Sequence, residues 1–368
     1  MISLNSPYKE NKGNQRNLNK TFKQVVRSRK YILGDFVENF EKSFASKFGA
    51  TGCVGVGNGT DAISLALRAF DIGPGDEVIT VGNTALATIA AIISVGATPV
   101  VVDVELHTGL ISEEKITDAL STKTRAIVVV HLFGSPVDVV RVRNLLPGHV
   151  RIIEDCAQAH GAKMNNKFVG TMGDLGCFSF YPTKILGTIG DGGCVIGNDQ
   201  PLMNKLRRLR EYGWDENRIA NLETGINSRL DELQAAILEN KLDSFDANFK
   251  HRTDIANYYQ TKIHSPFIKF FSLNAGAQHA YHLFVGLIEN RDEFINYMLH
   301  QRQIEVGVHY RTTILDHKAY LSKIRISDGG IRNTEFLAKN IVSLPMNNYI
   351  KRKDLHKICT AVNEWQLI

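Results

Sequence analysis

The chain has 368 residues, a net charge of +5 and 43% hydrophobic side chains, enough for a sizeable core shared between two domains. So small a charge, with no basic tract interleaved with aromatics, argues against nucleic acid as a partner and suggests no more than tolerance of an anionic ligand. Five cysteines without CxxC spacing and twelve histidines without HExxH spacing argue against disulfides and a structural metal, and fit a reducing cytoplasm.

The N-terminal basic residues (Lys9, Lys12, Arg16, Lys20, Lys23, Arg27, Arg29, Lys30) are separated by polar ones, which predicts a solvated helix face and no signal peptide. Residues 35–48 carry aromatics at helical spacing, an amphipathic helix docking on a core. Cys53–Val56 is a strand, Gly57-Asn58-Gly59-Thr60-Asp61 a bend, and Ala62–Phe70 a helix, capped by Thr60 or Asp61. A strand that bends through glycines into a helix N-terminus offers free N–H groups and a favourable dipole to a phosphate. The Gly55-x-Gly57-x-Gly59 spacing also resembles a loose dinucleotide fingerprint. Its expected acid is misplaced, because Asp76-Glu77 precede the next strand.

The run from Ala85 to Val101 is apolar, but Thr88, Ser94, Gly96 and Pro99 break it into a helix, a turn and a buried strand, not a membrane span. Strands at 78–80, 99–103, 126–131 and 151–155 alternate with helices at 84–95, 111–120 and 136–146. Such alternation predicts a mainly parallel α/β sheet, with ligands at the carboxyl ends of its strands. Cys177–Tyr181 reads as a further strand stopped by Pro182, and Cys194–Ile196 as another. A charged helix over 201–212, a helix start near Ser228 and a long helix over about 230–261 lead out of the large domain. We place the large domain at 1–245 and a smaller α+β domain at 246–368.

Asp155 ends a strand. Lys184 lies on a tight connection between two apolar strands, followed by Gly187, Gly190, Gly192 and Gly193. A lone lysine beside glycines is a surface loop residue. Confined and partly desolvated, it becomes an amine nucleophile at neutral pH. A strand-end carboxylate, such a lysine and an anion-binding bend are the three things pyridoxal 5'-phosphate needs, and Ser179 can add a hydroxyl.

Four ordered motifs carry a resemblance over nearly the whole chain. They are Glu154-Asp155-Cys156-Ala157-Gln158-Ala159-His160-Gly161-Ala162, Ser179-Phe180-Tyr181-Pro182-Thr183-Lys184, Gly190-Asp191-Gly192-Gly193, and Asn227 to Ala236. They resemble the nucleotide-sugar aminotransferases of the DegT/DnrJ/StrS family of fold-type I pyridoxal-phosphate enzymes. The resemblance implies a three-layer aspartate-aminotransferase-like large domain. It implies Lys184 as the Schiff-base and proton-moving lysine, Asp155 against the pyridine nitrogen, and Gln158 beside the ring. Thr60, Ser179 and the N–H groups of Gly59 to Asp61 would hold the phosphate. Asn227 would reach the phosphate across a homodimer interface, with Arg229 beside it. Tyr181, His309 and Arg311 are candidate sugar contacts; His309 reads equally as a packed histidine, and Arg311 as a surface residue.

The implied reaction moves an amino group from L-glutamate to a nucleotide-linked keto-sugar. The run Leu186 to Gly193 looks like that of members acting at sugar carbon 3 or 2, and the expected substrate is a dTDP-3-keto-6-deoxyhexose, for an O-antigen, S-layer or antibiotic sugar. Other sugar carbons and nucleotides are the alternative. A nicotinamide oxidoreductase or a non-catalytic cofactor-binding regulator is the alternative from another class. Relatives that are dehydratases lack the lysine. Ala85 stands where relatives commonly carry a stacking aromatic worth about 0.5–1.5 kcal/mol, which predicts looser cofactor binding or a bulkier substrate. Ile185 and Arg311 replace a frequent asparagine and a frequent proline.

Overall fold

Apolar runs in alternation with helical ones are realised as a layered α/β structure. In this computed structural model, whose described residues are 1–366, the first strands are β1 (Gly52–Val56), β2 (Glu77–Val81), β3 (Thr98–Val102), β4 (Thr124–Val130) and β5 (Arg151–Asp155). A short hairpin, β6 (Lys163–Met164) and β7 (Lys167–Phe168), precedes β8 (Leu175–Ser179) and β9 (Gly193–Gly197). Then come β10 (Ile268–Phe270), β11 (Ala277–Gln278), β12 (Phe284–Ile288), β13 (Arg325–Ile326) and β14 (Ile341–Leu344). Eight of these form one sheet in the order β1-β9-β8-β5-β4-β2-β3-β13. Only β9 runs against its neighbours; the other pairings are parallel.

The strands are buried on both faces, which is why they read as near-continuous apolar runs. The two-residue period still sorts their side chains. Val128 packs into the layer that holds Val54, Leu65 and Leu206, while Ile127 and Val129 pack with Ile116 and Val142. Beside β8, the helix Asp35–Phe48 packs Phe40, Phe44 and Phe48 against Phe178 and Phe180, with ring centroids 5.1 to 6.1 Å apart. Each such ring stabilises by about 1.5–3 kcal/mol on burial, before the cost of ordering it. The Ala85–Val101 run resolves into the helix Leu86–Ser94, a turn and β3, and no helix among the described residues is long and apolar enough to cross a membrane.

Several local expectations need correction. The long helix over 230–261 is two helices, Glu232–Leu242 and Phe245–Lys262. Ser244 breaks it, because its hydroxyl donates to the Lys241 carbonyl (3.2 Å) and its backbone leaves the helical well. The helix starts at Glu232, not near Ser228, because Ser228 is committed elsewhere: its Oγ accepts the Gly57 N–H (2.9 Å) and donates to Asp61 (2.6 Å). Glu232 is committed too, accepting N–H groups of Gly34, Phe36 and Val37 at the start of the 35–48 helix. The strand before the lysine stops at Ser179, two residues earlier than read, after which the Phe180 N–H donates to the Gly192 carbonyl (2.8 Å).

The C-terminal residues form a second core. β10, β12 and β14 make a three-stranded sheet, and Tyr259, Phe284, Phe294 and Trp365 fill the space under it. Two segments cross between the cores. Ile2 pairs with Ile304, and β13, from the stretch read as the small domain, pairs with β3 while Arg325 meets Glu77 at 2.9 Å. Asp155 closes β5 and Ser179 closes β8. The helices starting at Gly59 and Leu86 reach the same carboxyl edge of the sheet.

Candidate active site

The bend after β1 is built around Asn58, not around Thr60 or Asp61. Asn58 is extended and its Oδ1 accepts the Asp61 N–H (2.8 Å), so it is the helix cap. That leaves the Gly59 and Thr60 N–H groups with no acceptor within the described chain, and leaves the Thr60 hydroxyl free of capping duty. Asp61 drops out of the lining: its N–H serves Asn58 and its carboxylate serves Ser228. Gly59 is required by close approach, since a Cβ there would lie 2.6 Å from the Ser179 Cβ. The same approach puts the Ser179 hydroxyl beside the bend.

Thr60, Asp155, Gln158, Ser179, Tyr181, Lys184 and His309 line one cavity of about 340 Å³. Lys184 is held by a turn in which its N–H donates to the Tyr181 carbonyl (2.9 Å). Burial pulls its amine down to about 8, against the opposing pull of Asp155. Burial raises the Asp155 carboxyl. The Ala157 N–H (3.1 Å), the Thr88 hydroxyl (2.9 Å) and the charge of Lys184 act the other way. Gln158 is wedged in place: Oε1 accepts the Phe133 N–H and Nε2 donates to the Tyr310 hydroxyl (2.9 Å). His309 bonds the Ser343 hydroxyl through Nδ1 (2.9 Å), and burial lowers it to about 4.

Other expected contacts lie outside this cavity. Asn227 is exposed, and Arg229 sits 3.8 Å from Glu211. Arg311 turns to the surface and pairs with Asp292 at 2.9 Å, outside the lining of this cavity. Ala85 does line the cavity and brings no ring to it, while Ile185 is buried among Phe40, Phe44 and Phe180, away from it. The loose dinucleotide reading loses its acid altogether, because Glu77 opens β2 and is spent on Arg325.

Thr84, His131, His282 and Tyr310 also line the cavity, and residue patterns did not single them out. Thr84 had a signal, its spacing of one helical turn from Thr88. His282 and Tyr310 arrive from distant segments and had none. His131, Glu154 and Cys156 are close enough together to suggest a metal. Yet the Val137 N–H donates to His131 Nδ1 (3.0 Å), so Nε2 carries the proton given to Glu154 (2.9 Å). Glu154 also takes the N–H groups of Gly170, Met172 and Gly173. His131 and Glu154 therefore form a structural clamp and have no lone pairs to spare.

This donor set fits pyridoxal phosphate. Two free N–H groups and two hydroxyls suit its phosphate, a buried carboxylate suits its ring nitrogen, and a lysine of depressed basicity suits its aldehyde. The model of the DegT/DnrJ/EryC1/StrS aminotransferase family matches residues 13–363. The chain belongs to that family. It is 41% identical to a dTDP-3-amino-3,6-dideoxy-alpha-D-galactopyranose transaminase of Aneurinibacillus thermoaerophilus, over 95% of this chain and 96% of that one. It is 39% identical to a dTDP-3-amino-3,4,6-trideoxy-alpha-D-glucose transaminase of Micromonospora megalomicea subsp. nigra, over 93% and 92%. The solved structure of Streptomyces venezuelae DesV in complex with a ketimine intermediate superposes with a TM-score of 0.94 at 34% identity, covering 99% of this chain and 98% of that one.

Proposed function

We propose that the protein is a pyridoxal-phosphate-dependent aminotransferase that moves the amino group of L-glutamate to a dTDP-3-keto-6-deoxyhexose, for amino-sugar biosynthesis such as that of lipopolysaccharide. The observation that carries this is one cavity holding Lys184, with its amine near 8, and Asp155, beside the two unpaired N–H groups of the Gly59 bend. The two dTDP-sugar relatives, both acting on 3-amino sugars, support the nucleotide and the carbon.

Bound pyridoxal phosphate supplies an electron sink for the α-carbon of an amino compound. The chain's own residues do the rest. Gly59, Thr60 and Ser179 would hold the phosphate, and Asp155 would keep a proton on the ring nitrogen. Gln158, fixed by the Phe133 N–H and the Tyr310 hydroxyl, would lie beside the ring. The Lys184 amine takes a proton at Nζ and returns it, a task for which a basicity near neutral is matched. His309 and Tyr181 meet the sugar at the mouth, where Tyr181 is 51% exposed.

Asn227 and Arg229, outside the cavity of their own chain, serve the phosphate and substrate of a second copy, so the working form is a homodimer. The cytoplasm is the setting we propose, and five buried, unpaired cysteines suit its reducing conditions.

The test is the visible spectrum of the purified protein before and after L-glutamate. A long-wavelength band that glutamate bleaches, and that a dTDP-3-keto-6-deoxyhexose restores, is the expected result. A band indifferent to glutamate would overturn the donor. No band after adding pyridoxal phosphate would overturn the cofactor.

A further inference from the structure

The start of the helix Leu86–Ser94 aims two hydroxyls along one line. Thr84 lines the cavity. Its Oγ1 lies 2.9 Å from Thr88 Oγ1, and Thr88 Oγ1 lies 2.9 Å from Asp155 Oδ2. Thr88 is completely buried, so water does not satisfy its hydroxyl. We propose that Thr88 and Thr84 form a one-way relay that aims Asp155 and makes Thr84 a hydrogen-bond acceptor toward a donor group on the substrate. This rests on the reading that Asp155 faces the cofactor's ring nitrogen.

The direction follows from counting protons. A hydroxyl has one to give, and a carboxylate has none. Thr88 therefore spends its proton on Asp155 and has only a lone pair left for Thr84. Thr84 in turn spends its own proton on Thr88. What Thr84 shows to the cavity is a lone pair, so its ligand partner brings the proton. The two sources of such a donor are a sugar hydroxyl and the ammonium of the amino donor.

Asp155 now has a defined geometry. Oδ1 takes the Ala157 N–H and Oδ2 takes Thr88, so both oxygens are fixed by elements on two sides. The titratable groups that act on it from neighbouring segments are Lys184, His131, Cys177 and Tyr310. Loss of the Thr88 proton leaves the buried carboxylate less well solvated, hence more readily protonated. A protonated Asp155 would support a charged ring nitrogen poorly, so the bound cofactor's band would hold its protonated form to higher pH.

The test uses the full-length protein loaded with pyridoxal phosphate, and Thr88→Val, Thr88→Ser, Thr84→Val and Asp155→Asn. Valine keeps the shape of threonine and removes the hydroxyl. Thr88→Val should weaken cofactor binding, read by fluorescence titration, by about tenfold or more, and move the pH midpoint of the long-wavelength band upward. Thr88→Ser should restore both readouts. Thr84→Val should keep the band and raise KM by about tenfold for one substrate: the nucleotide sugar if the donor is a sugar hydroxyl, glutamate if it is an ammonium. If Thr88→Val matches the parent in affinity and midpoint while Asp155→Asn does not, the relay is wrong and the Asp155 reading stands. If Asp155→Asn also matches, the Asp155 reading itself falls. Unchanged KM for both substrates in Thr84→Val sinks the acceptor role.

Discussion

The cavity around Lys184 and the stretch from Glu211 to Arg229, which we propose serves the site of a second copy, hold their side chains in two physical conditions. Around Lys184, the functional groups are held by partners within the chain: Asp155 by Thr88 and Ala157, Gln158 by Phe133 and Tyr310, His309 by Ser343. In the exposed stretch, Asn227 contributes only an isolated bridge with Glu211, and Arg229 a loose ion pair to the same residue. A side chain that finishes its work inside one chain is positioned by that chain's core. One left exposed beside an isolated bridge is not, which is the condition the proposed homodimer would change.

The largest effect is expected inside the cavity. Lys184→Ala should slow the glutamate half-reaction by about 1,000-fold or more, since it removes both the amine and the proton carrier; stopped-flow absorbance measures it. A rapid half-reaction in that variant would move the chemistry to another residue.

Next is the exposed stretch. Asn227→Ala should weaken cofactor binding by about tenfold. With cofactor limiting, mixing Lys184→Ala and Asn227→Ala subunits should give more activity than the two variants show separately, because one of the two sites in a mixed dimer is intact. Mixed samples no more active than their parts would end the idea that the stretch serves a partner.

A smaller effect should appear in acid. Burial holds His160 at about 3 and His309 at about 4, both below the ordinary 6.5. The unfolded chain therefore binds their protons first, so stability present above pH 6.5 is lost as pH falls toward 4. His160→Phe keeps the ring among Phe178 and Phe180 and removes one of these protons. Its urea midpoint should drop less than the parent's between pH 7 and pH 5. Parallel drops would mean that His160 is not held neutral by burial.

The smallest effect belongs to Arg311→Ala. An exposed pair with Asp292 contributes about 0–1 kcal/mol, and KM for the sugar should hold within about twofold. A tenfold rise would return Arg311 to the site.

Much of this was legible because it is local. A carboxylate at a strand end and a lysine between an aromatic strand and glycines announce themselves within a few residues, and so does the glycine bend. What sequence misread was where capping groups spend themselves. Ser228 looks like a cap for the helix it adjoins, but its partner Gly57 lies 171 residues away. Asn58 took the role assigned to Thr60 or Asp61 because it reached the extended conformation a cap needs. Thr88 hid in an apolar helix, where a hydroxyl counts as one more small buried side chain. His282 and Tyr310 needed the second core folded against the first before they had any address.

The short strand β13 has a practical consequence for anyone dividing this molecule. It borders β3, whose Val100, Val101 and Val102 are fully buried. A piece of the chain cut at residue 245 would keep Lys184 and lose this border. It would carry into solution an open, flat, valine-rich margin that invites another strand to pair with it. Such a piece is expected to associate with itself, whereas the same piece supplied with residues 246–368 as a second polypeptide has its margin covered.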